Sequence, residues 1–265
     1  ISACLVGSEM CIRDSFNTVW QPTAAEPSFG IAYIVLTSII GTAFAIVLGV
    51  PVGLLTAVFI SEVAHKKVAA VVKPAVELLA GIPSIVYGLL GLLIINPLMY
   101  KLELAIFKDN PNHQFTGGAN LISAVIVLAI MILPTVINVS YTSLQAVPVK
   151  MRQASLALGA TEVQTIFKVT IPAAKSGIIT AIVLGVGRAI GEAMAIVLVS
   201  GNAVNMPLPF NSVRFLTTGI VSEMSYSSGL HRQALFTIGL VLFVFIMIIN
   251  ITISKIIKAG EENGK

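Results

Sequence analysis

Five long apolar segments dominate the hydropathy pattern of this 265-residue chain, and short polar stretches separate them. Each segment is close to the roughly 20 residues that an α-helix needs to cross the hydrocarbon core of a bilayer. Because backbone groups inside a bilayer must be hydrogen-bonded within the protein, we expect each segment to be helical. The predicted spans are Ile31–Ile60, Ala80–Tyr100, Ala119–Ala146, Gly177–Ser200 and Ala234–Ile257.

One polar stretch, Val149–Lys175, has more internal order than a plain connecting loop needs. Met151–Leu158 has helical spacing and stops at Gly159, a residue type that tolerates the left-handed conformation of a helix end. Thr161 then begins a Thr-x-x-Gln capping box, and apolar positions at helical spacing continue to Pro172. We therefore predict two short amphipathic helices on the membrane surface, which together form a docking surface.

Composition agrees with a membrane protein. The chain is 56% hydrophobic and 11% charged, and its mean hydropathy is +0.96. A soluble protein with many buried helices would need far more charged residues to cover its surface. The predicted fold class is therefore an all-α polytopic membrane protein, with five spans in this chain.

The distribution of Lys and Arg orients the predicted spans. The positive-inside bias places the side with more Lys and Arg, which includes the 149–175 loop, in the cytoplasm. The net charge of +4 needs no nucleic-acid partner to explain it. The cytoplasmic set is Lys66, Lys67, Lys73, Lys150, Arg152, Lys168, Lys175, Lys255, Lys258 and Lys265, and the opposite set is Lys101, Lys108, Arg214 and Arg232.

The first fifteen residues do not fit the rest of the chain. Ile1–Ser15 is too polar to span a membrane, and we expect it to be a non-native head. We also expect that a first transmembrane helix has been lost here, so that the native chain has six spans. A disulfide or redox pair between Cys4 and Cys11 is an alternative, although their spacing matches no metal or redox signature. The predicted organisation is a head at 1–15, an extracytoplasmic loop at 16–30, a transmembrane domain at 31–257 and a cytoplasmic tail at 258–265.

Small residues four apart predict close helix contacts in two of the spans. Gly49 and Gly53 have this spacing in the first span, and Gly187 and Gly191 have it in the fourth. Glycine at both positions of such a pair lets two helix backbones approach closely.

The main candidate for substrate contact is Arg188. It lies about 11 residues past Gly177, roughly 16 Å along a helix and thus near the middle of the membrane. Glu192 follows four residues later on the same predicted helix face. The pair is either a structural ion pair or part of a polar pathway in which Arg188 meets an anion and Glu192 holds the empty site or repels the anion onward. A guanidinium group suits phosphate or sulfate, because it binds two oxygens at once.

The 149–175 loop also resembles the coupling loop of ATP-binding-cassette (ABC) importer permeases. That family has Glu-Ala-Ala, a Gly four residues after the last Ala, and a closing Ile-x-Leu-Pro, and the spacing here is the same. Gln and Ser replace the usual Glu and second Ala, which weakens a specific salt bridge to an ATPase but keeps the helix–Gly–helix shape. The corresponding residues are Gln153, Ala154, Ser155, Gly159, Ala160, Val169, Ile171 and Pro172.

Two further stretches are similar to the phosphate-specific permeases of the PstC and PstA types. They are Glu77–Gly88 and Arg188–Ala195, and the continuation to Asn202 favours the PstC type. Ala193 stands where that family usually has Thr. The resemblance implies the MetI-like fold of a permease subunit in the bacterial inner membrane that moves inorganic phosphate.

The resemblance also implies partners. They are an ATPase dimer, a second permease of the PstA type and a periplasmic phosphate-binding protein. The chain has no Gly-x-x-x-x-Gly-Lys-Ser/Thr loop, so ATP hydrolysis is expected on the partner, and we predict neither a cofactor nor a metal site, since its three histidines are scattered. The alternatives are an ABC permease for another oxyanion, such as sulfate or molybdate, and an ATP-independent secondary transporter or channel.

Overall fold

The computed structural model describes residues 17–24, 27–108, 110 and 113–262, with side chains through residue 249 and at 251 and 252. The predicted head at 1–15, with Cys4 and Cys11, lies outside the described residues. Residues 263–265 of the predicted tail also lie outside them.

Helices make up nearly all of the regular structure. They are α1 (Ala32–Val58), α2 (Lys66–Ala80), α3 (Ser84–Leu90), α4 (Asn96–Phe107), α5 (Leu121–Gln145), α6 (Val149–Ala157), α7 (Glu162–Thr165), α8 (Ile171–Ala173), α9 (Lys175–Gly191), α10 (Met194–Val199), α11 (Leu216–Glu223) and α12 (Gly229–Glu262). Wider π-helical turns extend α1, join α3 to α4 and join α7 to α8, at Phe59–Val63, Gly91–Ile95 and Ile166–Thr170. Before α1, strand β1 (Trp20–Gln21) pairs antiparallel with β2 (Ser28–Phe29).

Within the described part of the chain, four continuous helical stretches are long and apolar enough to cross a membrane. They are Ala32–Val63, Ser84–Phe107, Leu121–Gln145 and Gly229–Ile249. A bent pair, Glu162–Ala173 and Lys175–Gly191, adds a fifth if it is counted as one span, with a bend of 69° between its parts. The predicted all-α membrane fold is confirmed.

The prediction of a continuous fourth span from Gly177 to Ser200 is wrong. Helix α9 ends at Gly191, and α10 begins at Met194 after a break at Glu192 and Ala193. Apolar residues lie on both sides of this break, and helical spacing predicts that the one charged residue in it, Glu192, lies on the helix face of Arg188. At the break, the Glu192 carboxylate accepts the backbone N–H of Ala195.

The second and the last of the predicted spans have different bounds from those that hydropathy predicts. The second runs from Ser84 to Phe107 instead of from Ala80 to Tyr100, and the last helix begins at Gly229 instead of Ala234. Glu103 is fully buried in this extension, and its carboxylate accepts hydrogen bonds from the Thr116 backbone N–H and hydroxyl. His113 Nε2 lies 2.8 Å from the same carboxylate. These partners are what allow a buried carboxylate to lie within the helix.

The chain folds into two compact units. The first contains the described chain through Ala45, Pro83–Leu128 and Ala189–Ile248, and the second contains Ile46–Ile82, Ala129–Arg188 and the chain from Ile249.

A buried carboxylate also organises the first unit. Glu223, at the end of α11, lies 2.7 Å from His231 Nε2, and it accepts hydrogen bonds from Trp20 Nε1 and Arg214 Nη1. Burial and the Glu223 charge raise the pKa of the Tyr226 hydroxyl, against the opposing charge of Arg214. This hydrogen bond from Trp20 attaches the β1–β2 hairpin to α11. The apolar cluster of this unit comprises Ile31, Ile34, Leu216, Leu235 and Ile238.

The second unit has a tightly packed contact between α1 and α5. A Cβ atom added at Gly49 would lie 2.7 Å from Ile132, and one added at Gly53 would lie 2.9 Å from Val136. The close contact predicted for Gly49 and Gly53 is therefore confirmed. Its apolar core comprises Ala57, Val58, Ile60, Val76, Ile137, Leu144, Val147, Ile166, Ala174 and Ile178.

Candidate functional site

The 149–175 loop has the helix–Gly–helix shape that its sequence predicts. Helix α6 ends at Ala157, and Gly159 has a φ of +87°. Thr161 Oγ1 accepts the Gln164 backbone N–H, and Gln164 Oε1 accepts the Thr161 backbone N–H, so the predicted capping box is formed. The second helix then continues through the π-helical turn to Ala173, where the chain bends into α9.

This loop exposes large apolar side chains on both of its helices and on the turn between them. Leu158 is 88% exposed, and Val149, Met151, Val163 and Phe167 are exposed as well. A cluster of exposed apolar residues with polar neighbours is typical of a surface that binds a partner protein. The loop therefore has the chemistry of a docking surface.

The residues that match the coupling-loop pattern divide between this surface and its support. Those exposed are Gln153, Ala154, Gly159 and Pro172, and those partly buried are Ser155, Ala160, Val169 and Ile171. Ser155 Oγ lies 2.9 Å from Thr165 Oγ1, so a hydrogen bond joins the first helix to the second. A Cβ atom at Gly159 would meet no atom within 4 Å, so its backbone conformation, and not crowding, favours glycine there.

Arg152 fixes the first helix of the loop, a role that no local sequence pattern predicts. Arg152 Nη2 lies 3.0 Å from Glu62 Oε1 and donates to the Leu144 carbonyl oxygen at 2.8 Å. Glu62 also accepts a hydrogen bond from Ser61, and Gln145 Nε2 donates to Ser61 Oγ. The sequence showed Arg152 only as one of several basic residues, and its partner lies ninety residues earlier.

Arg188 lies in the last turn of α9 and is partly buried. Its Nη1 donates a hydrogen bond of 3.0 Å to Thr135 Oγ1 on α5. Among the described residues, no carboxylate lies within ion-pair distance of Arg188. Within the part of the chain that is described, Thr135 is the one hydrogen-bond partner recorded for its five N–H donors, and a guanidinium group with free donors can bind an anion.

Glu192 belongs to the first unit, and its carboxylate caps the start of α10. Its Oε1 accepts the Ala195 backbone N–H at 2.8 Å, at the start of α10. The side chain is buried, and the Glu192 carbonyl oxygen accepts a hydrogen bond from Thr217 Oγ1. Because α9 ends at Gly191, Glu192 does not continue the helix face of Arg188, and the predicted ion pair is not among those of the described residues.

The close contact predicted for Gly187 and Gly191 is not formed within the described residues. Gly187 and Gly191 have no atom of this chain's described residues within 4 Å of an added Cβ, so they pack against none of its helices. The close contacts are at Gly177, beside Ser143, and at Gly185, beside Val136. A Cβ atom at Gly187 or Gly191 would therefore meet open space.

The fold, with its apolar spans and the ordered loop between two of them, is that of a membrane permease. The chain belongs to the family of binding-protein-dependent transport system inner membrane components, which matches residues 49–259. Relatives that match this chain are named as permease proteins of ABC and phosphate transport systems.

Curated relatives agree with this family. The chain is 37% identical to a probable ABC transporter permease protein, YqgH, of Bacillus subtilis, over 89% of this chain and 75% of that protein. It is 33% identical to the phosphate transport system permease protein PstC of Pasteurella multocida, over 95% of this chain and 84% of that protein. The phosphate transport system permease protein PstC of Haemophilus influenzae is 31% identical, over 94% of this chain and 82% of that protein.

Solved structures support the fold. A chain of the MetNI methionine ABC transporter in an inward-facing conformation has a TM-score of 0.59 and 21% identity, over 87% of this chain and 94% of that chain. A chain of an amino acid ABC transporter has a TM-score of 0.57 and 19% identity, over 85% of this chain and 92% of that chain. The predicted MetI-like architecture is confirmed.

Proposed function

We propose that this chain is a permease subunit of an ABC importer that moves inorganic phosphate across the bacterial inner membrane. The observation that carries the proposal is the ordered loop with exposed apolar side chains, Val149–Lys175, in a chain of this family. Phosphate is favoured because relatives named as phosphate transport permeases align along nearly the whole chain.

The loop is proposed to be cytoplasmic and to bind one subunit of an ATPase dimer. Leu158, Val163 and Phe167 supply apolar contact area, and Gly159 sets the angle between the two helices. Burial of exposed apolar area is the main source of affinity at such an interface. Movement of the ATPase subunits would then move α6 and the membrane helices attached to it.

Arg188 is the proposed contact for the transported anion. Its guanidinium group has one protein hydrogen bond, to Thr135, and no paired carboxylate among the described residues. A phosphate oxygen would find several N–H donors available in a planar arrangement. The open surface at Gly187 and Gly191 leaves room for an anion or for a partner chain.

A structural role fits Glu192 better than a role in releasing the anion. Its carboxylate holds the start of α10 through the Ala195 N–H, and it is buried. In this position it maintains the break between α9 and α10. The other proposed partners are a second permease of the PstA type and a periplasmic phosphate-binding protein, as the family resemblance implies.

The proposal is tested by transport in proteoliposomes. The chain is assembled with a PstA-type permease, the ATPase and the phosphate-binding protein, and ATP-dependent accumulation of labelled phosphate is measured with sulfate or molybdate as competitor. Accumulation of phosphate that neither competitor reduces is expected. Accumulation of sulfate or molybdate without phosphate would overturn the choice of substrate, and transport without the ATPase would overturn the proposed mechanism.

A further inference from the structure

The Arg152–Glu62 ion pair lies apart from the docking surface, on the inner side of the loop. The exposed side-chain fraction is 22% for Arg152 and 6% for Glu62, whereas the apolar docking residues are mostly exposed. A charge pair removed from water is costly to form and more costly to break, because the remaining partner is left buried and unpaired. This pair therefore holds α6 strongly to the rest of the unit.

Arg152 joins three separate segments. Its own helix is α6, Glu62 lies in the π-helical turn after α1, and Leu144 lies in the last turn of α5. The Gln145–Ser61 hydrogen bond joins the same ends of α5 and α1 directly. Displacement of α6 would thus be transmitted to both helices through directional bonds and not only through apolar packing.

One of these helices leads to the proposed anion contact. Helix α5 carries the Leu144 carbonyl at one end and Thr135, the partner of Arg188, nine residues earlier. At about 1.5 Å per residue, the two contact points are roughly 14 Å apart along a single helix. Arg152, α5 and Arg188 therefore form one continuous set of contacts within the second unit.

From this arrangement we propose that Arg152 is a positioning residue that couples movement of the docking loop to α1 and α5, through Glu62 and the Leu144 carbonyl. The inference rests on the proposed function, because it assigns a role within an ATP-driven cycle. Arg152 contacts neither substrate nor ATPase in this role. Its loss would leave docking intact and reduce the amount of transport obtained from each ATP.

The test compares Arg152→Gln, Glu62→Gln and the double variant in proteoliposomes that contain the full transporter. Three quantities are measured: ATPase co-purified with the permease, ATP hydrolysed and phosphate accumulated. Each single variant is expected to lower phosphate accumulated per ATP about fivefold, a size typical of residues that couple distant sites. ATPase co-purification is expected to remain at the parent level, and the double variant to be no worse than either single one.

Two further variants provide controls. Lys67→Gln removes the same charge from an exposed position of α2, outside the docking loop, and is expected to leave the phosphate accumulated per ATP unchanged. Arg152→Lys keeps the charge but not the planar arrangement of donors, and an intermediate ratio is expected. If Arg152→Gln fails to insert, Glu62→Gln, which keeps the size of the side chain, serves as the test variant.

Several results would overturn the proposal. One is an unchanged ratio of phosphate accumulated to ATP hydrolysed in the single variants. Another is a double variant in which the effects of the two single variants multiply. The third is a loss of co-purified ATPase that matches the loss of transport. The last would make Arg152 part of the docking surface. Failure of the parent transporter to bind the ATPase would instead contradict the proposed function itself, so the two failures are distinguishable.

Discussion

The Glu192 carboxylate accepts the backbone N–H of Ala195 at 2.8 Å, across the break between α9 and α10. Ala193, at the N-cap position of α10, has no side-chain oxygen to satisfy that N–H. The Glu192 side chain, one residue before the N-cap, therefore caps α10 in its place.

This contact predicts a difference between two substitutions at Glu192. Glu192→Gln keeps an oxygen that accepts the Ala195 N–H, so thermal stability in detergent and phosphate uptake are expected to stay near the parent values. Glu192→Ala leaves a buried N–H unpaired, at a cost of about 1–3 kcal/mol, and a lower melting temperature is expected. Equal loss of uptake in both variants would show that the charge is needed, as the anion-release hypothesis requires.

Arg188 offers the most direct test of the proposed substrate contact. Arg188→Gln is expected to abolish phosphate uptake and leave the assembled complex intact, because the amide lacks both the charge and the guanidinium geometry. Arg188→Lys is expected to retain partial uptake. Uptake assays and size-exclusion chromatography of the complex check this, with Arg232→Gln, at an exposed position, as the control. Loss of assembly in Arg188→Gln would favour a structural role.

Gly159 predicts an order of tolerance at the junction of the loop helices. Its φ of +87° is open to Gly and tolerated by Asn, costs Ala about 1–2 kcal/mol, and is impossible for Pro. Co-purification of the ATPase is expected to fall in the order Gly, Asn, Ala, Pro. Co-purification of Gly159→Pro at the parent level, from a correctly inserted permease, would contradict the docking role of the loop.

Leu158 tests whether the exposed apolar surface binds the ATPase. The side chain is almost free of contacts in this chain, so Leu158→Asp is expected to leave the melting temperature of the isolated permease unchanged. ATPase affinity is expected to fall about tenfold, because a charge is placed in an apolar interface. Leu158→Met, which keeps apolar area, is the matched control. A melting temperature that falls with affinity would indicate a folding effect.

Two helical glycines of the second unit predict opposite effects of the same substitution. Gly49→Ala brings a Cβ to 2.7 Å from Ile132, and overpacking of this kind costs about 1–3 kcal/mol. Gly187→Ala adds a methyl group in open space and is expected to be neutral or stabilising by up to about 1 kcal/mol. Thermal unfolding of the isolated chain checks both. A destabilised Gly187→Ala would show a packing partner for Gly187 within this chain.

Local sequence patterns predicted much of the loop and of the membrane fold. The capping box of Thr161 and Gln164 is formed between residues three apart, and Gly159 ends a helix as its conformational freedom indicates. Apolar length placed most of the membrane helices, because a span must satisfy its own backbone hydrogen bonds. Each of these features depends on residues that are near one another in the chain.

The remaining features depend on contacts that no local pattern contains. The sequence by itself determined the class of protein, the helix–Gly–helix shape of the 149–175 loop and the family resemblance. Only the tertiary structure decided that α9 ends at Gly191, that Arg188 bonds Thr135, and that Arg152 pairs with Glu62. The physical reason is that a buried polar group must find its partner in three dimensions, and for Arg188 and Arg152 that partner lies on a distant segment of the chain.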